Sequence, residues 1–133
     1  MREEFQRLAD LRVEEAAVLA ANGKEQGAYY LAGLAVECAL KACISKRTKQ
    51  HQYPPRNTTQ YYEHKLDVLL ELAELEDQLD KESKGNPAFK QNWGVVRDWK
   101  VDTRYEAAGL RGSEMVVAVS SIDGVLQWLK RHW

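Results

Sequence analysis

Apolar residues recur at helical spacing along most of the chain, and the alternation typical of strands is almost absent. This pattern predicts a first helix from about Glu3 to Ala21, ended by Gly23 as a left-handed C-cap. It predicts a second helix from about Glu25 to Arg47. The first helix carries one apolar stripe, formed by Phe5, Ala9, Val13, Ala16 and Ala20.

A polar stretch that contains Pro54 and Pro55 follows and predicts a long ordered loop. A third helix is predicted from about Glu63 to Lys81, and a short one within AFKQNWGVVRDW. The last helix is expected to start after Ser113 as its N-cap. Its a/d stripe is formed by Met115, Val119, Ile122, Leu126, Leu129 and Trp133. Four main helices in one domain, 1–133, predict an all-α, up-and-down four- to five-helix bundle.

The second helix is apolar almost throughout, yet it carries Glu37 and Lys41 in its middle. On a helix the two positions lie about 40° apart, on a line that also holds Tyr30 and Ser45. One interpretation is an intrahelical ion pair worth a few tenths of a kcal/mol. The other is a narrow polar stripe that lines a cleft, with Lys41 available to a phosphate.

The apolar surface of this second helix is too wide for one layer of neighbours in a small bundle. Either the helix runs through the centre, or one side packs against another protein chain. Its many alanines and Gly33 allow close approach between helices. We therefore expect a homodimer with this helix near the interface.

Composition places the chain among globular proteins, with 133 residues, 44% hydrophobic residues and a net charge of −1. The charged start, MREEFQRL, lacks the apolar core of a signal peptide, so we expect a cytoplasmic protein without a membrane span. Cys38 and Cys43 are not spaced as metal ligands and are interpreted as small buried hydrophobes. Without a Cys–His cluster or a glycine-rich phosphate loop, no metal or cofactor is expected.

Three polar residues outside the second helix are candidates for binding. His64 opens the third helix, where free N–H groups and the helix dipole favour an anion; alternatively, it caps its own helix. Arg104 suits a phosphate, and Tyr105 could stack on a base. In the alternative, Arg104 pairs with Asp98 or Asp102 and Tyr105 plugs the end of the bundle.

We expect Lys41, His64 and Arg104 to converge on one cleft at the dimer edge or the bundle end. The chain also has one basic cluster that suits either RNA phosphates or compensation of a helix dipole. Its members are Lys46, Arg47, Lys49, His51 and Arg56. The four tryptophans are expected in the core or at the dimer seam.

Three segments in order, YYLAGLAVECALKACI, HKLDVLLELA and the RY before the last helix, resemble a HEPN domain (higher eukaryotes and prokaryotes nucleotide-binding). The resemblance runs from about Ala16 to the C-terminus. HEPN domains in turn resemble the helical domain attached to kanamycin-type nucleotidyltransferases. The residues that carry the resemblance to a HEPN domain are Glu37, Lys41, His64, Arg104 and Tyr105.

The resemblance implies a dimeric helical bundle that binds a nucleotide or RNA, in a toxin–antitoxin pair with a small nucleotidyltransferase partner. Many other members are ribonuclease toxins, with four to six residues between an Arg and a His. No pair here has that spacing, whether Arg47–His51, Arg56–His64 or Arg131–His132. We therefore expect a non-catalytic module. The alternatives are a ribonuclease with a displaced Arg/His site and a purely structural dimeric bundle.

Overall fold

The computed structural model describes residues 1–50 and 63–133, without the side chains of residues 48–50. Helices account for the secondary structure of these ranges, and no strand occurs in them, so the predicted all-α bundle is confirmed. The elements are α1 (Arg2–Ala21), α2 (Glu25–Gln50), α3 (Leu66–Leu72), α4 (Glu76–Gly85), α5 (Pro87–Val96), a 3-10 helix (Val101–Tyr105), α6 (Gly112–Ser120) and α7 (Val125–Lys130). Most of the predicted long loop, with His51 and Arg56 of the basic cluster, lies outside the described residues.

Helix α2 is the central element of the bundle. It packs against α1, α3, α6, α7 and the 3-10 helix. Its small side chains are buried and let these neighbours approach closely: Ala28, Ala32, Ala35, Cys38, Ala39, Ala42 and Cys43. The chain therefore covers α2 by itself, which confirms the first of the two alternatives for this helix. The homodimer stays a prediction, but the apolar surface of α2 no longer supports it.

Within the described residues, Glu25–Arg47 is the one helical stretch that is long and apolar enough to cross a membrane. In the bundle, however, 72% of the apolar window is buried against the rest of the chain. A helix that is hydrophobic all round is typical of the core of a protein as well as of a membrane span. The position of α2 in the core accounts for its composition.

Helices α1 and α5 agree with the sequence-based prediction, and α2 begins as predicted but runs to Gln50, three residues past its predicted end. Gly23 follows α1 with a φ of 74°, the left-handed conformation expected of a C-terminal glycine. At the start of α5, the Asn86 side chain accepts a hydrogen bond from the Phe89 N–H at 3.1 Å. Pro87 occupies the first turn, where its missing N–H is harmless. Capping and periodicity point to the same boundaries here.

The prediction of one continuous third helix was wrong. Helix α3 ends at Leu72 and α4 begins at Glu76. Between them Glu74 adopts a φ of 55°, a left-handed conformation that a helix cannot contain. Its carboxylate lies 2.6 Å from the guanidinium of Arg47 on α2. Both halves bury leucines on the core side, so helical periodicity continues across the turn.

The last helix is also interrupted, between Ser120 and Val125. Ile122, predicted for the core stripe, is 91% exposed, so that assignment was wrong. Hydrogen bonds from the start and the middle of α5 stabilise the turn between Ser120 and Val125. The side-chain amide of Asn92 donates to the Asp123 carbonyl, and that of Asn86 donates to the Asp123 carboxylate, both at 3.0 Å.

Ser113 does not act as the N-cap of α6, contrary to the prediction. Arg111 occupies the cap position, and Ser113 lies inside the helix. Its backbone N–H and its hydroxyl donate to the Glu25 carboxylate at 2.7 and 2.9 Å. A side chain from the start of α2 thus satisfies one of the free N–H groups that a cap residue usually serves.

The cysteines and tryptophans are part of the core. Cys38 and Cys43 are free and buried, as predicted. Burial raises the pKa of Cys38 to about 11 and that of Cys43 to about 12, so both thiols are protonated at neutral pH. Trp93, Trp99 and Trp128 are buried, and Trp133 packs against the core, which confirms the core alternative for these rings.

The central position of α2 predicts that a charge at Ala39 prevents stable folding. Ala39 is fully buried, and an unpaired carboxylate there costs several kcal/mol. We expect Ala39→Glu to lose most of its cooperative thermal transition, measured by circular dichroism at 222 nm. The matched control is Ala88→Glu, at an exposed position in the first turn of α5. Similar melting of the two variants would contradict a central α2.

Candidate functional site

The Glu37 carboxylate joins two of the residues predicted for the site. One oxygen, Oε2, accepts a hydrogen bond from the Lys41 ammonium at 3.1 Å. The other, Oε1, lies 3.0 Å from Nδ1 of His64. The Glu37 side chain is only 6% exposed and that of Lys41 only 9%. The intrahelical pair expected from the spacing is therefore formed, with His64 as a further partner.

Burial changes how much the Glu37–Lys41 ion pair contributes to the stability of the fold. An exposed pair at this spacing is worth a few tenths of a kcal/mol. A buried pair loses its hydration and depends on mutual compensation, so removal of one partner strands a buried charge. The Lys41 ammonium here faces a carboxylate of its own helix. Glu37 is therefore an anion beside Lys41, and a phosphate contact of Lys41 stays a prediction.

His64 lies between the buried pair and solvent, with a side chain that is 43% exposed. An ionised carboxylate only accepts hydrogen bonds, so Nδ1 of His64 carries the proton that is donated to Glu37. When the ring is neutral, Nε2 remains as an acceptor. Glu37 thereby fixes both the orientation of the ring and its tautomer.

The backbone at His64 does not offer the free N–H groups that we expected for an anion. The N–H groups of His64 and Lys65 both donate to Oε1 of Glu63, at 3.2 and 3.0 Å. Helix α3 itself begins only at Leu66. A carboxylate of the chain occupies the expected phosphate position, so any ligand of His64 has to approach its ring.

A cleft of about 800 Å³ opens between residues 64–68 and residues 97–102, and we call it the His64 cleft. Three basic side chains line it, from Lys65, Arg97 and Lys100. They alternate with three carboxylates, from Asp67, Asp98 and Asp102. Among the described residues, no group of three or more His, Cys, Asp or Glu side chains could hold a metal ion.

The indole of Trp99 lines the His64 cleft and lies against α2 at Gly33. A Cβ atom on Gly33 would overlap this ring, so the close approach requires glycine. Tyr30, one turn earlier on α2, stacks on Trp99 with ring centroids 6.0 Å apart. The aromatic wall of the cleft thus depends on one small residue of α2.

Arg104 and Tyr105 lie on the 3-10 helix, whose first two residues line the cleft. The guanidinium of Arg104 lies 4.8 Å from the centroid of the Tyr105 ring. Hydrogen bonding to Tyr105, and secondarily to Tyr30, raises the pKa of Arg104. Tyr105 is 76% exposed and does not plug the bundle. In the part of the chain that is described, Arg104 forms no ion pair with Asp98 or Asp102, and the groups that act on it are Tyr105 and Tyr30.

The predicted residues form two groups along one side of α2. Glu37, Lys41 and His64 are in contact, whereas Arg104 contacts Tyr105 and Tyr30. Tyr30 precedes Glu37 by two turns, about 10 Å along the helix axis. The cleft and Trp99 lie beside both groups, so the predicted meeting of Arg104 with Lys41 and His64 is replaced by an elongated surface.

Three residues of this surface were missed as site residues. Tyr30 and Gly33 share the helical line of Glu37, and that shared line was the available signal. Trp99 was assigned to the core without a role in a cleft. Its contact with Gly33 joins distant segments, so no local pattern reveals it.

Comparison with protein-family models finds no match, and comparisons with curated proteins and with solved structures find none either. The HEPN resemblance therefore depends on the matching residues of this chain alone.

The buried charges predict a specific pattern of stability. We expect Glu37→Leu to lower the free energy of unfolding by about 3–5 kcal/mol, because Lys41 then remains charged and buried. The double variant Glu37→Leu/Lys41→Met removes both charges and is expected to regain most of this loss. Urea unfolding followed by circular dichroism measures both.

The matched control for this pair is Glu15→Ala, which breaks the more exposed Arg12–Glu15 pair. We expect it to change stability by less than about 1 kcal/mol. A double variant as unstable as Glu37→Leu would show that the pair is not buried as described.

Proposed function

We propose that this chain is a HEPN-like helical module that binds a nucleotide or a short single-stranded RNA without cleaving it. The ligand lies on the surface that runs from Tyr105 past Trp99 to the His64 cleft. This proposal combines the nucleotide-binding function implied by the resemblance with the geometry of the matching residues.

The observation that carries the proposal is the exposed Arg104–Tyr105 stack. A tyrosine that serves the core is buried, whereas Tyr105 is 76% exposed. Its neighbour Arg104 supplies a cation 4.8 Å from the ring centroid. An exposed aromatic face beside an arginine is typical of surfaces that stack bases and contact phosphates.

The His64 cleft supports the same proposal through its size and its charges. Its volume of about 800 Å³ falls in the range of small-molecule sites. Lys65 and Lys100 suit the phosphates of a nucleotide, and Arg97, which lies 3.7 Å from the Asp67 carboxylate, can join them. The carboxylates of Asp98 and Asp102 can accept hydrogen bonds from base amino groups and ribose hydroxyls. A ligand with both kinds of group fits this mixed lining better than a simple anion does.

The resemblance supplies the rest of the biological setting. It implies a toxin–antitoxin pair in which a small nucleotidyltransferase is the partner. We include this partner in the proposal because three residues that carry the resemblance lie together, with Lys41 and His64 both in contact with Glu37. Co-purification of the two proteins from cells that express both genes tests this part.

The Glu37–His64 contact favours a second candidate function, the cleavage of RNA. A histidine oriented by a carboxylate can act as a general base or acid, here for attack by a ribose 2′-hydroxyl. Arg104 would then polarise the scissile phosphate. Its contacts with Tyr105 and Tyr30, two turns of α2 away from Glu37, weigh against this role.

We predict that a fluorescein-labelled eight-nucleotide RNA binds with an affinity that falls as salt is raised, because counterions are released. Tyr105→Ala is expected to weaken binding by about 1–3 kcal/mol, the usual value of one base stack. Fluorescence anisotropy measures both effects, and competition with ATP tests a mononucleotide as the ligand.

Two control variants accompany this titration. Tyr105→Phe keeps the ring and should bind as the wild type does. Arg111→Ala removes an arginine with an 85% exposed side chain and should have little effect. If neither RNA nor ATP binds at low salt, the structural bundle becomes the better account.

We also predict that the purified protein leaves RNA intact, since no Arg–His pair has the spacing of the ribonucleases. Gel analysis of labelled RNA after incubation without metal measures this. Cleavage that His64→Ala abolishes, while Lys81→Ala retains it, would contradict the prediction and support the second candidate function.

A further inference from the structure

The His64 cleft has no surplus of positive charge. Its three basic side chains are matched by three carboxylates, and the Arg97 guanidinium lies 3.7 Å from the Asp67 carboxylate on the opposite wall. A nucleoside triphosphate, or the 5′-triphosphate end of an RNA, would place several negative charges near Asp98 and Asp102, where like charges repel. The balance of charges therefore favours a part of the ligand that carries few phosphates.

The cleft also presents acceptors that require donors from a ligand. Asp98 and Asp102 are exposed residues of its lining, and an ionised carboxylate only accepts hydrogen bonds. His64 lines the same cleft and adds Nε2 as an acceptor when its ring is neutral, since Nδ1 donates to Glu37. RNA supplies such donors from its base amino groups and its ribose hydroxyls. Within a strand, only the 3′-terminal ribose offers two adjacent free hydroxyls.

We propose that the His64 cleft binds the 3′-terminal nucleoside of an RNA. The 2′- and 3′-hydroxyls of that nucleoside donate to the carboxylates of Asp98 and Asp102, and the preceding base stacks on Tyr105. This inference rests on the proposed function and names the part of the ligand that enters the cleft. It selects a free RNA 3′ end over an internal segment of a strand and over a nucleoside triphosphate.

The 3-10 helix sets the offset between the two positions. Asp102 and Tyr105 are three residues apart on Val101–Tyr105. Side chains at this spacing lie on the same side of a 3-10 helix, about 6 Å apart along its axis. One base can therefore stack on Tyr105 while the ribose of the next nucleotide lies beside Asp102. The strand then runs in the 5′ to 3′ direction from Tyr105 into the cleft.

The rest of the lining suits the remaining groups of one nucleoside. Val68 and Val101 are half-buried and, together with Trp99, give the terminal base an apolar surface. Lys65 and Lys100 are exposed in the same lining. They can contact the one phosphodiester that joins the terminal nucleoside to the strand. A single phosphate agrees with the charge balance of the cleft, whereas a row of phosphates does not.

Fluorescence anisotropy tests the inference with an eight-nucleotide RNA that carries fluorescein at its 5′ end and is made with three different 3′ ends. We expect the free 2′,3′-diol to bind most tightly. A 3′-phosphate adds negative charge beside two carboxylates and should weaken binding about tenfold or more. A 2′,3′-dideoxy end lacks both donors and should weaken binding about fivefold or more. An unlabelled circular RNA, which has no end, and ATP should both compete poorly.

A double variant, Asp98→Asn/Asp102→Asn, separates this recognition from general electrostatics. It keeps side-chain oxygens as acceptors but removes both charges, so it should bind the 3′-phosphate RNA about as well as the 3′-hydroxyl RNA. A general electrostatic effect would instead strengthen the binding of both RNAs alike. The matched control is Asp80→Asn, at an exposed position of α4, which should discriminate between the two ends as the wild type does. Circular dichroism checks that both variants are folded.

The outcomes separate this inference from the proposed function. Suppose that the wild type binds the 3′-hydroxyl, 3′-phosphate and circular RNAs equally, while Tyr105→Ala weakens all three. The inference is then overturned, and the proposed function stands. Tighter binding of ATP than of the 3′-hydroxyl RNA, or unchanged discrimination in the double variant, would overturn the inference as well. If none of these RNAs binds at low salt and ATP does not bind either, both the inference and the proposed function fail.

Discussion

The buried carboxylate of Glu37 is the constraint on which the candidate binding site depends. A charge inside an apolar helix has to be paired, and Lys41 and His64 provide the partners. Because His64 precedes α3, its contact with Glu37 fixes the start of that helix against α2. The same side of α2 carries Gly33, which lets Trp99 lie against the helix. One charged residue and one glycine thus position the two walls of the His64 cleft.

Much of the fold could be predicted from the sequence, and the failures have a common cause. Periodicity and local caps identify the all-α class, both long N-terminal helices and α5. They fail at Glu74 and at Ile122, where the helices are interrupted without a proline or a left-handed glycine. The second turn is held by hydrogen bonds from Asn86 and Asn92, which lie 37 and 31 residues before their partner Asp123. Local pattern carries no information about such partners.

The contacts within the site that depend on helix geometry could be predicted from the sequence. The spacing of Glu37 and Lys41 indicates their contact, and an antiparallel order of helices places His64 near the same end of α2. The surroundings of these residues were not predictable, because they come from distant segments. Glu63 takes the backbone N–H groups that were expected to bind an anion. Trp99 is buried as predicted, but it also lines one wall of the cleft, which its assignment to the core does not indicate.

The central claim is that a nucleotide or RNA lies in the cleft beside Trp99, and NMR of the ¹⁵N-labelled protein tests it most directly. During titration with ATP or a short RNA, the indole signal of Trp99 and the amide signal of Gly33 should shift together. The indole signals of Trp93 and Trp128 should stay in place and serve as internal controls. If the Trp128 signal shifts while that of Trp99 stays fixed, the ligand binds elsewhere and the account is contradicted.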